Sequence, residues 1–157
     1  MKINASYIKQ MSKKRIIELQ YMECDACACY ESYDSDKGEH VIGIIPSETL
    51  SEFKKRHAKT LFLTVHDDSK KLIAMAGISH IGRGKQVFLE LHTLYVKPFH
   101  RNSGIGTSLL QKAMNIAKAK HMTLKLKVNP LNRCAWKLYE RIGFTPSRCQ
   151  NITMEMT

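Results

Sequence analysis

The alternation of hydrophobic and polar positions changes rhythm several times along the chain. KINASYI at 2–8 sets Ile3, Ala5 and Tyr7 on one side, the period of a strand. Ser12 then stands as an N-cap ahead of Ile16, Ile17, Leu19 and Tyr21, a helical spacing. ESYDSDKGEH at 31–40 is polar and acidic and reads as a loop. Beyond Pro46, Ser47 is placed to cap a second helix carrying Leu50 and Phe53. Three strand-like runs follow: LFLTV (61–65), LIAMAGISHI (72–81) and QVFLELHTLYV (86–96). The polar turns HDDSKK and GRGK join them as an antiparallel meander. A helix is expected from Gly106 to Lys120, on Leu109, Leu110, Ala113, Ile116 and Ala117, and then a strand, LKLKV, at 124–128. Asn132 caps a last helix bearing Ala135, Leu138, Tyr139 and Ile142, which Gly143 stops. QNITMEM ends the chain with strand-like alternation.

Composition fits one globular domain over residues 1–157, with no repeat or linker; 43% of positions are hydrophobic and 25% charged. No apolar run approaches the roughly 20 residues that span a bilayer, and MKINASYIKQ lacks the apolar core of a signal peptide. The expected setting is cytoplasmic, without a membrane partner. Five cysteines form no disulfide pattern. Cys24, Cys27 and Cys29 cluster, but a metal would need a fourth ligand such as His40 or His57, and no second Cys-x-x-Cys supplies one. Reduced thiols and no metal are expected.

Charge changes the picture more. Residues 1–60 hold ten Lys or Arg against nine Asp or Glu, and residues 61–157 hold fifteen against five. The second part therefore carries +10 of the net +11, and an anionic partner is expected there.

RNSGIGTSLL at 101–110 lies where a strand hands over to a helix. The first N–H groups of a helix have no internal partner, and glycine lets a bulky anion approach the backbone. A pyrophosphate suits such a junction. A Walker A loop would need Gly-Lys-Ser/Thr, and a Rossmann fingerprint a third glycine where Leu109 stands and an acid further on. Taken alone, the glycine pair is equally compatible with a plain helix start.

In context, LYVKPFHRNSGIGTSLL resembles the coenzyme-A motif of the GNAT N-acetyltransferase superfamily, Arg/Gln-x-x-Gly-x-Gly/Ala after a strand. NRCAWKLYERIGF resembles that family's second signature, and the element order is similar throughout. The resemblance implies an α/β fold: a mixed, mostly antiparallel central sheet with a splayed parallel pair (86–96 and 124–128) and helices on both faces. It implies acetyl-CoA as co-substrate, with Arg101, Asn102, Ser103, Gly104, Ile105, Gly106 and Thr107 around the pyrophosphate. Leu94, Tyr95 and Val96 would pair with the pantetheine arm, and Asn132 would touch the cofactor from the next helix.

The acceptor amine must be neutral, whereas a lysine-like amine of pKa about 10.4 is neutral only about once in several thousand at pH 7. The resemblance gives the Leu94 N–H to the thioester oxygen and Tyr139 to the leaving thiolate as proton donor; alone, Tyr139 reads as a core aromatic. Glu90 matches the general base of some protein-acetylating members. Four strand residues put it about 13 Å from Leu94, so a water relay or a bulge is needed. His92, on the same face and about 7 Å from Leu94, is the second choice for the base. The acceptor is left as a small amine or a peptide or protein amine, for which Glu31, Asp34, Asp36 and Glu39 offer an acidic loop. Aminoacyl-tRNA acetylation, a coenzyme-A sensor and a nucleic-acid-binding module are the alternatives, and a homodimer is compatible with the family.

Overall fold

The computed structural model of the chain describes residues 1–31, 46–83, 86–128, 132–147 and 153–156. His40 and the acidic positions Asp34, Asp36 and Glu39 lie outside them, as do the side chains of Cys27, Cys29 and Glu31.

Strand β1 (Ile3–Tyr7) gives way to one 3-10 turn at Ile8–Gln10, and helix α1 (Lys13–Glu31) follows. Ser12 caps it: the Arg15 N–H donates to Ser12 Oγ at 3.4 Å. Ile16, Leu19, Met22 and Ala26 are buried along α1, and Gln20 and Glu23 are buried with them. Helix α2 (Leu50–Arg56) starts two residues later than the sequence suggests, at Thr49 and not Ser47. Glu52 decides it. Glu52 Oε2 accepts from the Thr49 N–H at 2.7 Å while Thr49 Oγ1 accepts from the Glu52 N–H at 3.3 Å. Three residues beyond Ser47 stands Leu50, which cannot reciprocate.

Strands β2 (Leu61–His66), β3 (Leu72–Ile81) and β4 (Phe88–Val96) form the expected meander. Helix α3 (Ile105–Ala119), strand β5 (Leu124–Lys127) and helix α4 (Arg133–Ile142) follow within a residue or so of expectation. Asn132 Oδ1 accepts from the Ala135 N–H at 3.1 Å, and Gly143, with φ of 104°, ends α4. Two short strands close the sheet, β6 (Thr145–Pro146) and β7 (Thr153–Met156); β6 is too short for any periodicity to announce it. The order is β1-β2-β3-β4-β5-β7-β6, antiparallel everywhere except between β4 and β5.

Side-chain alternation sends each strand's residues to two cores. Phe62, Met75 and Tyr95 pack with Ile16, Leu19, Met22 and Phe53 of α1 and α2. Leu63, Val65, Leu89, Leu91 and Leu126 pack with Leu109, Leu110 and Ala113 of α3 and Tyr139 of α4. The helices thus cover both faces, and α1 and α3 come to opposite sides of β4.

Candidate active site

The parallel pairing of β4 with β5 runs only over Leu89, Glu90 and Leu91, opposite Leu124, Lys125 and Leu126. Beyond Leu91, β4 continues to Val96 without β5, so the two strands part. At that point β4 also carries a bulge. Gly77 faces Thr93 and Ile78 faces Leu91, which leaves His92 as the extra residue. Leu94 and Val96 therefore return to the α3 side with Leu89 and Leu91, and His92 and Thr93 sit side by side on the other face.

The loop after β4 is braced by its own side chains. Arg101 Nε donates to the Val96 carbonyl at 2.9 Å, and the Arg101 guanidinium lies 5.6 Å from the centre of the Tyr95 ring. Ser103 Oγ donates to the His100 carbonyl at 2.6 Å. The chain turns through two left-handed residues, Asn102 (φ 59°) and Gly104 (φ 81°), straight into α3. The first three N–H groups of α3, from Ile105, Gly106 and Thr107, have no intrahelical acceptor behind them. No acidic side chain occupies that first turn. A Cβ on Gly104 would meet nothing within 4 Å, so the backbone is open on that side. This cradle suits a diphosphate. A Cβ on Gly106, by contrast, would make ordinary contact with Leu138 and Val96, so α4 lies beside the start of α3.

On the α1 side of the bulge lies a cavity of about 430 Å³. Leu94 and Ile81 border it, together with a polar wall of Glu23, Arg56, His57, Thr60, Ser79, His92 and Thr93. Glu23 is the centre of that wall. Its Oε2 accepts from Arg56 at 2.7 Å and lies 3.0 Å from His57 Nε2, and Arg56 also pairs with Glu48. Burial pushes the Glu23 carboxyl up, but the hydrogen bonds and charges of His57 and Arg56 outweigh it and hold the group at about 2. His92 borders the cavity and is exposed there, with one face of its ring against Gly77. Burial, with the neighbouring His57, holds its pKa below the usual histidine value, against the pull of Glu23 and Glu90.

The contacts continue around the wall. His57 Nδ1 lies 3.2 Å from Thr60 Oγ1, Thr60 Oγ1 3.0 Å from Ser79 Oγ, and Ser79 Oγ 3.2 Å from His92 Nε2. His92 Nδ1 lies 3.2 Å from Thr93 Oγ1, and Thr93 Oγ1 donates to Glu23 Oε1 at 3.4 Å. The chain of contacts closes on itself.

The structure therefore brings His92 and Leu94 to the cavity, and Arg101 through Thr107 to the loop beside the strand opening. It does not bring Glu90 to the cavity wall: that carboxylate lies 3.4 Å from Lys127 Nζ. Tyr139 is buried in the α3–α4 core against Phe144, with ring centres 5.9 Å apart. Glu23, Thr60, Ser79 and Thr93 carry no motif that marks them as site residues, and His57, considered above only as a metal ligand, joins them in the cavity wall. Among these four, Glu23 leaves a trace in the sequence, as an acid four residues after Leu19 and seven after Ile16, on the apolar stripe of α1. Among the described residues no group of three His, Cys, Asp or Glu side chains is set to hold a metal, and no helix is long and apolar enough to cross a membrane.

The fold is the one found in N-acetyltransferases. The PaiA N-acetyltransferase of Thermoplasma acidophilum, solved in complex with coenzyme A, superposes with a TM-score of 0.66 at 22% identity, covering 99% of this chain and 98% of that one. A ribosomal-protein-alanine N-acetyltransferase from Brucella melitensis biovar Abortus gives 0.68 at 13%, covering 96% of each chain. At sequence level, residues 19–144 match the Acetyltransferase (GNAT) family. The chain belongs to that family, whose acyl donor is acetyl-CoA. N-alpha-acetyltransferase RimI of Mycobacterium tuberculosis is 34% identical over 73 residues, 46% of this chain and 45% of that protein. An uncharacterized N-acetyltransferase of Methanocaldococcus jannaschii is 38% identical over 61 residues, 38% of this chain and 27% of its own length. The chain thus spans less than half the length of these curated relatives.

Proposed function

We propose that the protein transfers the acetyl group of acetyl-CoA directly to a primary amine, with the α-amine at a polypeptide N-terminus as the acceptor. The observation that carries this reading is the position of Leu94. It lies beyond the last β4–β5 pair, two residues before the loop strand ends, and it borders the cavity. The donor's thioester can meet the acceptor there.

Each group has a task in that reading. The N–H groups of Ile105, Gly106 and Thr107, with the turn from Arg101 to Gly104, hold the diphosphate. The open edge of Leu94, Tyr95 and Val96 pairs with the pantetheine arm, and the Leu94 N–H polarises the thioester oxygen. Asn132, besides capping α4, touches the cofactor, and Tyr139 protonates the departing thiolate. We assign the base to the cavity wall and not to Glu90, whose partner is Lys127.

The acceptor class follows from proton affinity and from kinship. A base whose conjugate acid lies below the histidine value draws a proton more easily from an α-amine, pKa about 7.7–8.0, than from lysine at about 10.4. One relative is named an N-alpha-acetyltransferase. The test is thiol release from acetyl-CoA with two peptides, one with a free N-terminus and no lysine, the other N-terminally blocked and carrying lysine. Turnover is expected with the first. Turnover with only the second, or only with small polyamines, rules out the α-amine; cofactor binding with no turnover on any amine rules out the enzyme.

A further inference from the structure

The contacts around the cavity wall form a closed ring of six side chains: Glu23, His57, Thr60, Ser79, His92 and Thr93. A ring of six members has six contacts, and each contact needs one hydrogen. An ionised carboxylate brings none, each hydroxyl brings one, and each neutral imidazole brings one. Glu23 is ionised at neutral pH, so three hydroxyls and two imidazoles supply five hydrogens for six contacts.

One contact therefore sets lone pair against lone pair. With Glu23 accepting from both neighbours, one arrangement satisfies every contact but one. His57 Nε2–H donates to Glu23, Thr60 to His57, Ser79 to Thr60, and His92 Nε2–H to Ser79. Thr93 donates to Glu23. The deficit falls between His92 Nδ1 and Thr93 Oγ1, 3.2 Å apart. Rotating hydroxyls and exchanging tautomers moves the deficit around the ring without removing it. A single added proton fills it, and all six contacts are then made. A second would exceed the contacts available, and would place two cations on imidazoles whose ring centres lie 5.7 Å apart.

We propose that this ring, acting as one unit, is the base of the acetyl transfer: it accepts the single proton that the acceptor ammonium must lose, and His92 is its point of contact with the amine. The inference rests on the reading above that the cavity receives the acceptor. Position selects His92. His57 and Thr60 are each 3% exposed, whereas His92 faces the cavity two residues from Leu94. In the step, an N–H bond of the ammonium breaks and its electron pair stays on nitrogen as the nucleophile. The proton binds imidazole, and later leaves to water through the cavity. No electrons change hands. Glu23, His57, Thr60, Ser79 and Thr93 are positioning residues that act through His92.

The charged groups facing the ring come from every element around it. Glu23 on α1 and Glu90 on β4 favour the added proton, and Arg56 opposes it. Arg56 is itself paired with Glu48, just ahead of α2, and Glu90 with Lys127 on β5. The Glu23 carboxylate, itself a member of the ring, compensates the proton taken up.

Glu23→Gln is the decisive variant. A glutamine amide keeps the shape but brings its own N–H, which supplies the sixth hydrogen and leaves no room for a proton. The full chain is used, with nitrogen NMR of the two imidazoles and pH profiles of kcat and of kcat/KM. In the parent protein, the imidazole nitrogen signals are expected to report uptake of a single proton by the ring as a whole. Glu23→Gln should abolish that uptake, lower kcat by about 100-fold and flatten the ascending limb, with acetyl-CoA affinity unchanged. Thr60→Val, which breaks the ring at a buried member of the cavity wall, should shift the midpoint of that uptake. Uptake of two protons by the ring, or a Glu23→Gln profile like the parent's, in a protein that turns over amines would overturn the ring and leave the acetyltransferase reading standing. A well-folded protein that takes up no acetyl-CoA would overturn that reading and the base role with it.

Discussion

The imidazole of His92 lies flat against Gly77: Cε1 stands 2.6 Å, and both ring nitrogens 3.2 Å, from the point a Cβ on Gly77 would occupy. A methyl group there cannot coexist with the present His92 position. The ring is held by Ser79 and Thr93 and has only two torsions with which to retreat. Gly77→Ala should therefore push His92 out of the cavity wall, lowering turnover by about tenfold or more while acetyl-CoA binding persists. Calorimetry beside steady-state kinetics separates the two; a parallel loss of cofactor affinity would mean a wider disturbance of β4.

Glu90 offers the converse test. Its carboxylate pairs with an exposed lysine at 3.4 Å, a contact of little energetic weight. Its charge nevertheless favours protonation of His92. Glu90→Gln should change the maximal rate by only a few-fold and move the ascending limb of the pH profile to lower pH. A loss of about 100-fold would return the base to Glu90.

At Gly104 two effects can be separated. With φ of 81°, most side chains would be strained by about 1–2 kcal/mol, whereas asparagine tolerates this conformation. Gly104→Asn should thus keep thermal stability near that of the parent. Its side chain would project into the open cradle and weaken acetyl-CoA binding by about tenfold or more, as titration calorimetry would record. Unchanged affinity would move the diphosphate elsewhere.

Tyr139 is 7% exposed, with its ring packed on Phe144. Tyr139→Phe keeps that packing and removes only the hydroxyl. If the hydroxyl protonates the thiolate, kcat should fall by about 100-fold with acetyl-CoA affinity intact. Equal loss in both quantities would speak for a packing role alone.

Acid should loosen the α1–α2 face through Glu23. The folded protein holds this carboxyl at about 2, below its ordinary value of 4.5. Between those values an unfolded chain binds a proton that the folded one refuses. The stabilisation is therefore complete above pH 4.5 and disappears as pH falls toward 2; it is of the order of a few kcal/mol. In urea unfolding at pH 5 and pH 3, the parent should lose more stability between the two than Glu23→Gln does.

Much of this molecule was readable along the chain because its signals are local. The meander from Leu61 to Val96, the helix behind Gly104, the Asn132 cap and the Gly143 stop each depend on residues within a few positions. The start of α2 is not legible from capping residues alone, because Ser47 and Thr49 are both good caps, and only the reciprocal bond from Glu52 chooses between them. The cavity wall was hidden for another reason. Its six members come from α1, the end of α2, the residue before β2, β3 and β4, and no short window contains more than two. The placement of Glu90 and His92 on one strand face was legible; which of them reaches the cavity depends on a partner in β5 and a glycine in β3.

One supernumerary residue in β4 has a consequence beyond local shape. In an even pleat, neighbours look in opposite directions, so a strand can offer this chamber a histidine or a threonine at adjacent places, never both. The extra position at His92 suspends that rule once, and restores Leu94 and Val96 to their own side immediately afterwards. What lets the circuit shut is thus an arithmetic property of the backbone, and shortening the strand by one there would open it even if every participating side chain type were kept.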